Sequence, residues 1–373
     1  MIHSFRHVSP RILVVGGNLG TWKAQDRAYE ADLLNGIESW VFASNGTYCN
    51  ELDITPRMIA DFDIVIMNLN AIVSSKRLQQ VRALAENRPK HVIWMTLLEG
   101  DMRSYLKPMP HLRELFDASS FVNCINIHAE HFIQSLTQSP VITLGIPYPV
   151  DGVRACAIPW EQRSRTVHIC PFLKTRWNEF QVAKQLHLQI IGYERRLSRK
   201  FRNLLSNFRD YGTLFNVDIN REYVSKLLHS ADLTIEYAKP FKEYYAHASS
   251  SLLWLNLDDR YTWGRYVLDA AALGVPIIST ISTGHAPKLF PELTVQNPFD
   301  IDTALNMAHR IMDDDRFAKN ACDYALEHIQ EFKPDMMMKK LYILHFHTLF
   351  HQYLMLLFDY KQFYLKKLWL YHL

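Results

Sequence analysis

The stretch from Tyr261 to Thr280 reads Tyr-Thr-Trp-Gly-Arg-Tyr-Val-Leu-Asp-Ala-Ala-Ala-Leu-Gly-Val-Pro-Ile-Ile-Ser-Thr, and it leaves the chain around it little freedom. Tyr261 to Arg265 is a polar, aromatic turn that contains Gly264. Tyr266 to Leu273 reads as a short helix, apolar on one side and carrying Asp269. Gly274 suits the left-handed cap of that helix, and Pro276 cannot continue it. Ile277 to Thr280 then reads as a buried strand. Loop, short helix, Gly-x-Pro and buried strand form the unit by which an α/β sheet sets a helix N-terminus beside a ligand. The exposed N–H groups at such a terminus favour an anion.

These residues resemble the nucleotide-sugar site of GT-B glycosyltransferases, in particular the retaining family 4 type. The family pattern is Glu-Gly-Phe-Gly-Leu-x-x-Leu-Glu-Ala-x-Ala-x-Gly-x-Pro-Val-Ile. Gly264, Leu268, Ala270, Ala272, Gly274, Pro276 and Ile278 fall in matching positions. The resemblance implies that Asp269, where the family has its second Glu, is a ribose-hydroxyl ligand. Tyr261 stands where the family has its first Glu, which holds the transferred sugar, so the chain departs from the pattern at the sugar itself.

A chain of 373 residues holds two domains of ordinary size. It is 48% apolar and 21% charged, a globular balance, and its net charge of +3 makes no case for nucleic acid. Cys49, Cys124, Cys156, Cys170 and Cys322 have neither CxxC spacing nor the density of a disulfide framework. The expected compartment is therefore a reducing cytoplasm, and the N-terminus lacks the apolar core of a signal peptide.

Arg11 to Val15 is a first buried strand, running into Gly16-Gly17-Asn-Leu-Gly20 and an expected helix to about Trp40, the opening of a Rossmann-like domain. Val41 to Ser44 reads as a second strand ahead of an Asn45-Gly46 turn. Further strands are expected at 63–68, 91–98 and 120–127. Val141 to Asp151, with Pro147 and Pro149, makes a stiff crossing that resembles the family's interdomain linker. The second half repeats the logic, with strands at 166–170, 186–191, 233–237 and 251–256. Helices follow at 300–312 and 315–330. The expected fold is α/β of GT-B type: an N-terminal Rossmann-like domain over 1–150, a nucleotide-sugar-binding one over 151–330, the two facing each other across a cleft, and a helical tail over 331–373. The start of that tail is expected to cross back onto the first domain. Its later part interleaves Phe, Tyr, Trp and Leu with Lys361, Lys366 and Lys367, as an interfacial helix does, or packs as core with a solvated Lys face.

Transfer from a nucleotide sugar accumulates charge on a diphosphate leaving group, which positive side chains and N–H donors must meet. The resemblance implies this role for Lys174 and Arg176, after the first strand of the second half. Arg265, at the start of the short helix, adds to the same anion site on its own chemistry. Gly17, Gly192, Tyr193, Tyr261, Gly264, Asp269, Gly284 and His285 complete the expected donor side. Glu99 and Asp101 follow a strand's carboxyl end and face an acceptor, with His128 at a helix start as a hydroxyl ligand in the catalytic set. No metal is expected, because no matched ligand set is present and Asp258-Asp259 is a poor diphosphate-metal motif. The expected function is a nucleotide-sugar-dependent glycosyltransferase, using a UDP- or GDP-sugar and a glycan, lipid or small-molecule acceptor, with retention. It needs no cofactor, and the basic aromatic tail gives peripheral membrane contact. The alternatives are a GT-B-shaped binding or scaffold protein without transfer, and sugar-nucleotide epimerisation.

Overall fold

A computed structural model describes residues 10–17, 20–26, 36–69, 75–99, 109–169, 177–194, 233–237, 241–346 and 348. Asp101, Lys174 and Arg176 lie outside the described residues, as do the segment 195–232 and the tail from 349 onward. The chain divides into two compact units, Met1–Tyr148 with Glu331–Leu373, and Pro149–Gln330.

The first unit is built on β1 (Ile12–Gly16), β2 (Trp22–Lys23), β3 (Thr47–Asn50), β4 (Ile64–Asn68), β5 (Ile93–Leu98), β6 (Phe121–Cys124) and β7 (Val141–Ile142). Their order is β2-β3-β1-β4-β5-β6-β7, parallel throughout except for the β2–β3 pair. A parallel sheet is covered on both faces, so its strands are continuous apolar runs rather than alternating ones. Ile12 to Val15 and Ile64 to Met67 meet that demand and are all at most 1% exposed. From β1 the chain goes to β3 on one side and then crosses to β4 on the other. The ligand crevice of such a sheet therefore opens at the carboxyl ends of β1 and β4.

One sequence expectation fails here. Glu38–Ser44 is helical, so Val41 to Ser44 is not a strand, and the strand lies further on at Thr47–Asn50. Asn45 adopts a left-handed φ of 51°, and the Gly46 N–H reaches back to the Val41 carbonyl at 2.8 Å. The Asn-Gly pair thus closes a helix instead of turning a hairpin. Trp22–Lys23 forms the short strand β2 and Ala24–Asp26 a 3-10 turn; of the helix expected to follow Lys23 and run to about Trp40, residues 27–35 lie outside the described residues, and Glu38 to Trp40 are helical.

The second unit carries β8 (Ser164–Ile169), β9 (Gln189–Glu194), β10 (Leu233–Tyr237), β11 (Ser251–Asn256), β12 (Ile277–Thr280) and β13 (Thr294–Val295). All pairs are parallel in the order β10-β9-β8-β11-β12-β13. This is the doubly wound dinucleotide order, and its strand sequence reverses between β8 and β11. Helix Arg265–Leu273 lies on this sheet, with Tyr266 stacked on Trp254 at 4.5 Å between ring centroids. His168 of β8 joins that aromatic cluster, 4.7 Å from Trp254, fully buried.

Residues 334–346 are helical. They return to the first unit, burying Met337, Met338 and Leu341. Just before them the Phe332 carbonyl accepts from the Tyr148 N–H at 2.7 Å.

Candidate functional site

The reversal between β8 and β11 directs attention to the carboxyl edge of the second sheet. Two loops meet there: Leu257 to Gly264, which follows β11, and Ile281 to His285, which follows β12. Hydroxyl side chains stitch them together. Ser279 Oγ donates to the Asn256 carbonyl at 3.0 Å, and Thr283 Oγ1 to the Thr280 carbonyl at 2.8 Å. Thr280 Oγ1 and Ser282 Oγ both donate to the Asp258 carbonyl. The Glu179 carboxylate, fully buried on helix Trp177–Gln185, accepts from the Leu257 N–H at 2.8 Å and fixes where the first loop leaves the sheet.

Gly264 is the hinge of the arrangement. Its φ is +73°, and a Cβ on it would lie 2.0 Å from the Thr283 carbonyl oxygen. Only glycine allows both the left-handed turn and the approach of the second loop. The Gly264 carbonyl then accepts from the Val267 and Leu268 N–H groups, opening helix Arg265–Leu273. That helix ends as the sequence indicates. Gly274 is left-handed at φ +65°, and the Val275 N–H returns to the Ala270 carbonyl at 2.9 Å.

Asp269 is 5% exposed, within the helix rather than at its tip. A carboxylate that deep must be met by donors. Tyr245, from helix Phe241–Ser249, donates its hydroxyl to Asp269 Oδ1 at 3.0 Å. Arg265 Nη2 donates to the same Tyr245 oxygen at 3.1 Å, and Arg265 Nε stands 3.8 Å from Asp269 Oδ1. Burial, then the Asp269 charge, pushes the Tyr245 phenol far above its ordinary range, so the hydroxyl keeps its proton. Arg265 and Asp269, which the sequence suggests as separate contacts, are therefore one linked set. Nothing in the sequence announced Tyr245 as their bridge.

Tyr261 is 46% exposed on the first loop. Gly284 closes the 3-10 turn Ile281–Thr283 with φ +71°. His285 is buried rather than solvated, and its backbone carbonyl accepts from the Lys288 and Leu289 N–H groups of the short helix Ala286–Leu289. Burial, with Lys288 adding to it, lowers the His285 pKa to about 3, so the ring is neutral. Gly192 and Tyr193 lie inside β9, paired with Ile235 and Glu236 of β10, not beyond the strand end. Asp258 is buried and clamped by Arg260, whose Nε and Nη2 donate to its two carboxylate oxygens at 3.0 and 2.9 Å.

In the first unit, Gly17 follows β1, and its carbonyl accepts from the Tyr48 hydroxyl at 2.8 Å. Trp22 stacks on Tyr48 at 5.2 Å between centroids, and both rings are buried. Glu99 stands half-buried just past β5. His128 lies on the 3-10 turn Ile127–Ala129 after β6, its backbone N–H donating to Asn126 Oδ1 at 3.0 Å, and burial lowers the pKa of its ring. These three share the carboxyl edge of the first sheet.

No family model matches the sequence, and no curated protein is similar to it in sequence. Solved structures are similar in fold. The α,α-trehalose 6-phosphate synthase of Burkholderia multivorans superposes with a TM-score of 0.63 at 9% identity, over 92% of this chain and 100% of that one. The E. coli trehalose-6-phosphate structure bound with UDP-2-fluoro glucose gives 0.57 at 12% identity, over 90% and 98% of the two chains. Sucrose-phosphate synthase from Thermosynechococcus elongatus gives 0.56 at 14% identity, over 78% and 75%. The chain therefore has the GT-B fold, as the resemblance at 261–280 implies.

Proposed function

We propose that the protein transfers a sugar from a nucleotide-sugar donor to an acceptor, with retention. One observation carries this reading: Gly264 brings the loops after β11 and β12 together at the switch point, at the mouth of a helix that holds Arg265 and Asp269 as a linked pair. Asp269 would accept from ribose hydroxyls. Arg265, with Lys174 or Arg176, would meet the charge growing on the leaving diphosphate. Gly284 and His285 would line the donor, and a neutral His285 suits a hydroxyl better than a phosphate. Glu99, Asp101 and His128 would face a glycan, lipid or small-molecule acceptor. No metal is part of this scheme, since cationic side chains and helix N–H groups carry the charge. Two of the similar structures are named for phosphorylated-sugar synthesis, and the E. coli one holds UDP-2-fluoro glucose.

We further propose a cytoplasmic protein that touches a membrane peripherally through its tail. Among the described residues no helix is long and apolar enough to cross a membrane. The helix 334–346 keeps Ile343 57% and Phe346 65% exposed, and the sequence after it is aromatic and basic. Sedimentation with anionic vesicles tests this contact.

A thermal-shift screen with UDP, GDP, ADP and their sugars tests the donor reading. A ligand at a hundred times its Kd stabilises by about 2.7 kcal/mol. A stabilising nucleotide followed by product on a donor panel is the expected result. A nucleotide that binds without transfer of any sugar favours the binding-protein reading, for which the exposed Tyr261 at the sugar-holding position is the specific support.

A further inference from the structure

We infer that Tyr245 is the positioning residue of the donor site, acting through Asp269 and Arg265. The inference rests on the nucleotide-sugar reading above and goes beyond it, because Tyr245 comes from a helix outside the 261–280 stretch. Carboxylates accept only, and guanidinium groups donate only. The single Tyr245 proton therefore goes to Asp269 Oδ1 at 3.0 Å, while the phenol oxygen accepts from Arg265 Nη2 at 3.1 Å. The proton's direction is thus fixed, and the three groups are polarised in one sense, from guanidinium through phenol to carboxylate.

Geometry makes the phenol a bridge between the two charges. Arg265 and Asp269 are one helical turn apart, yet Nε lies 3.8 Å from Oδ1, longer than a hydrogen bond. The direct pair is loose, and the phenol closes the triangle. Arg265 is also the more solvent-accessible of the two, at 18% of its side chain against 6% for Asp269. The set therefore has a buried carboxylate end and an outward guanidinium end. A ribose at the one and a diphosphate at the other would be read by a single preset unit, and Tyr245 sets the distance between the two contacts.

Tyr245→Phe removes one oxygen and keeps the ring that packs 5.4 Å from Tyr244. Isothermal titration with UDP and with 2′,3′-dideoxy-UDP measures the consequence. The expected result is a roughly tenfold or greater loss of UDP affinity, the scale of one charged hydrogen bond. The preference for UDP over the dideoxy compound should shrink as well. In an Asp269→Asn background, Tyr245→Phe should cost clearly less than it does alone, since part of its effect runs through that carboxylate. A merely structural role predicts lower thermal stability with UDP affinity and ribose preference unchanged, and that outcome overturns the inference. So does full additivity of the two substitutions. Wild-type protein that binds neither UDP, GDP nor ADP removes the nucleotide reading and this inference with it. Wild-type binding with an unaffected Tyr245→Phe variant removes only the inference.

Discussion

Gly264 and Gly274 bracket the same helix at nearly the same φ, +73° and +65°, but differ in what a side chain would meet. Alanine in the left-handed region costs about 1–2 kcal/mol at either site. At Gly274 the nearest atom to the new Cβ is Arg154 Nη1 at 2.6 Å, the far end of a long side chain that can swing away. At Gly264 it is the Thr283 carbonyl oxygen at 2.0 Å, with the Thr283 carbonyl carbon and Cβ at 3.1 and 3.3 Å. These are backbone and buried atoms, tied by the Thr283–Thr280 and Thr283–Ser279 hydrogen bonds. Separating the loops to ordinary contact distance is an overpacking cost of about 1–3 kcal/mol. Gly264→Ala should therefore destabilise by about 2–5 kcal/mol, and Gly274→Ala by about 1–2 kcal/mol. Because the backbone term is common, the difference between the two variants isolates the loop contact. Urea unfolding of both variants and the parent, compared at equal m-value, measures it. Coincident midpoints for the two alanine variants would refute the claim that Gly264 exists to admit the second loop.

Other outcomes follow from the same residues. His168 and His285 each have a folded pKa near 3, driven first by burial, against about 6.5 unfolded. The unfolded chain binds the extra protons, so stability is full above about pH 6.5 and falls toward pH 3, by at most about 1.4 kcal/mol per pH unit for each ring. Urea midpoints from pH 7 to 5 should show that fall, and His285→Gln should flatten it; a midpoint independent of pH would contradict the burial argument. Asp269→Ala should weaken UDP and UDP-sugar alike by roughly tenfold, by titration calorimetry, since a charged hydrogen bond to ribose is lost from both. Neutralising Arg265, or the operative one of Lys174 and Arg176, should lower kcat more than it raises KM in steady-state assays, because the charge they meet grows in the transition state. Tyr261→Glu should change donor preference on a panel of nucleotide sugars while leaving nucleotide affinity nearly intact, because a carboxylate offers a sugar two acceptor oxygens where the phenol offers one donor and an acceptor site.

The strands β4, β5 and β11 are readable in the sequence because a strand covered on both faces is held to a largely apolar run. Helix Arg265–Leu273 is readable because left-handed glycines mark both of its ends. The segment around Val41 is not. Trp40-Val41-Phe42 serves a buried helix as well as a strand, and Asn45-Gly46 is a signal for a hairpin and for a helix cap alike. The true strand, Thr47-Tyr48-Cys49-Asn50, carries polar groups that disguise it. Within the candidate site, Asp269 is found by its place in a local pattern. Its partner Tyr245 is 24 residues away on another helix, and only the lie of that helix on the sheet decides which of two adjacent tyrosines reaches it. Glu179 escapes notice for the same reason, since its acceptor role lies 78 residues along the chain.

The return of residues 331 onward to the first unit has a consequence for biosynthesis. The first unit is interrupted in sequence by the whole of Pro149–Gln330. A ribosome delivers the earlier part of that unit first, yet the Phe332 carbonyl that receives the Tyr148 N–H, and the buried Met337, Met338 and Leu341, are translated only after the second unit is complete. At about 5–20 residues per second the delay is roughly 10–40 seconds. During that interval the continuous second unit can finish folding while the earlier-born one waits with an apolar face uncovered. The order of maturation then runs against the order of synthesis. The nascent chain is most exposed to chaperones, and to misassociation, at the surface that residues 332–341 eventually close.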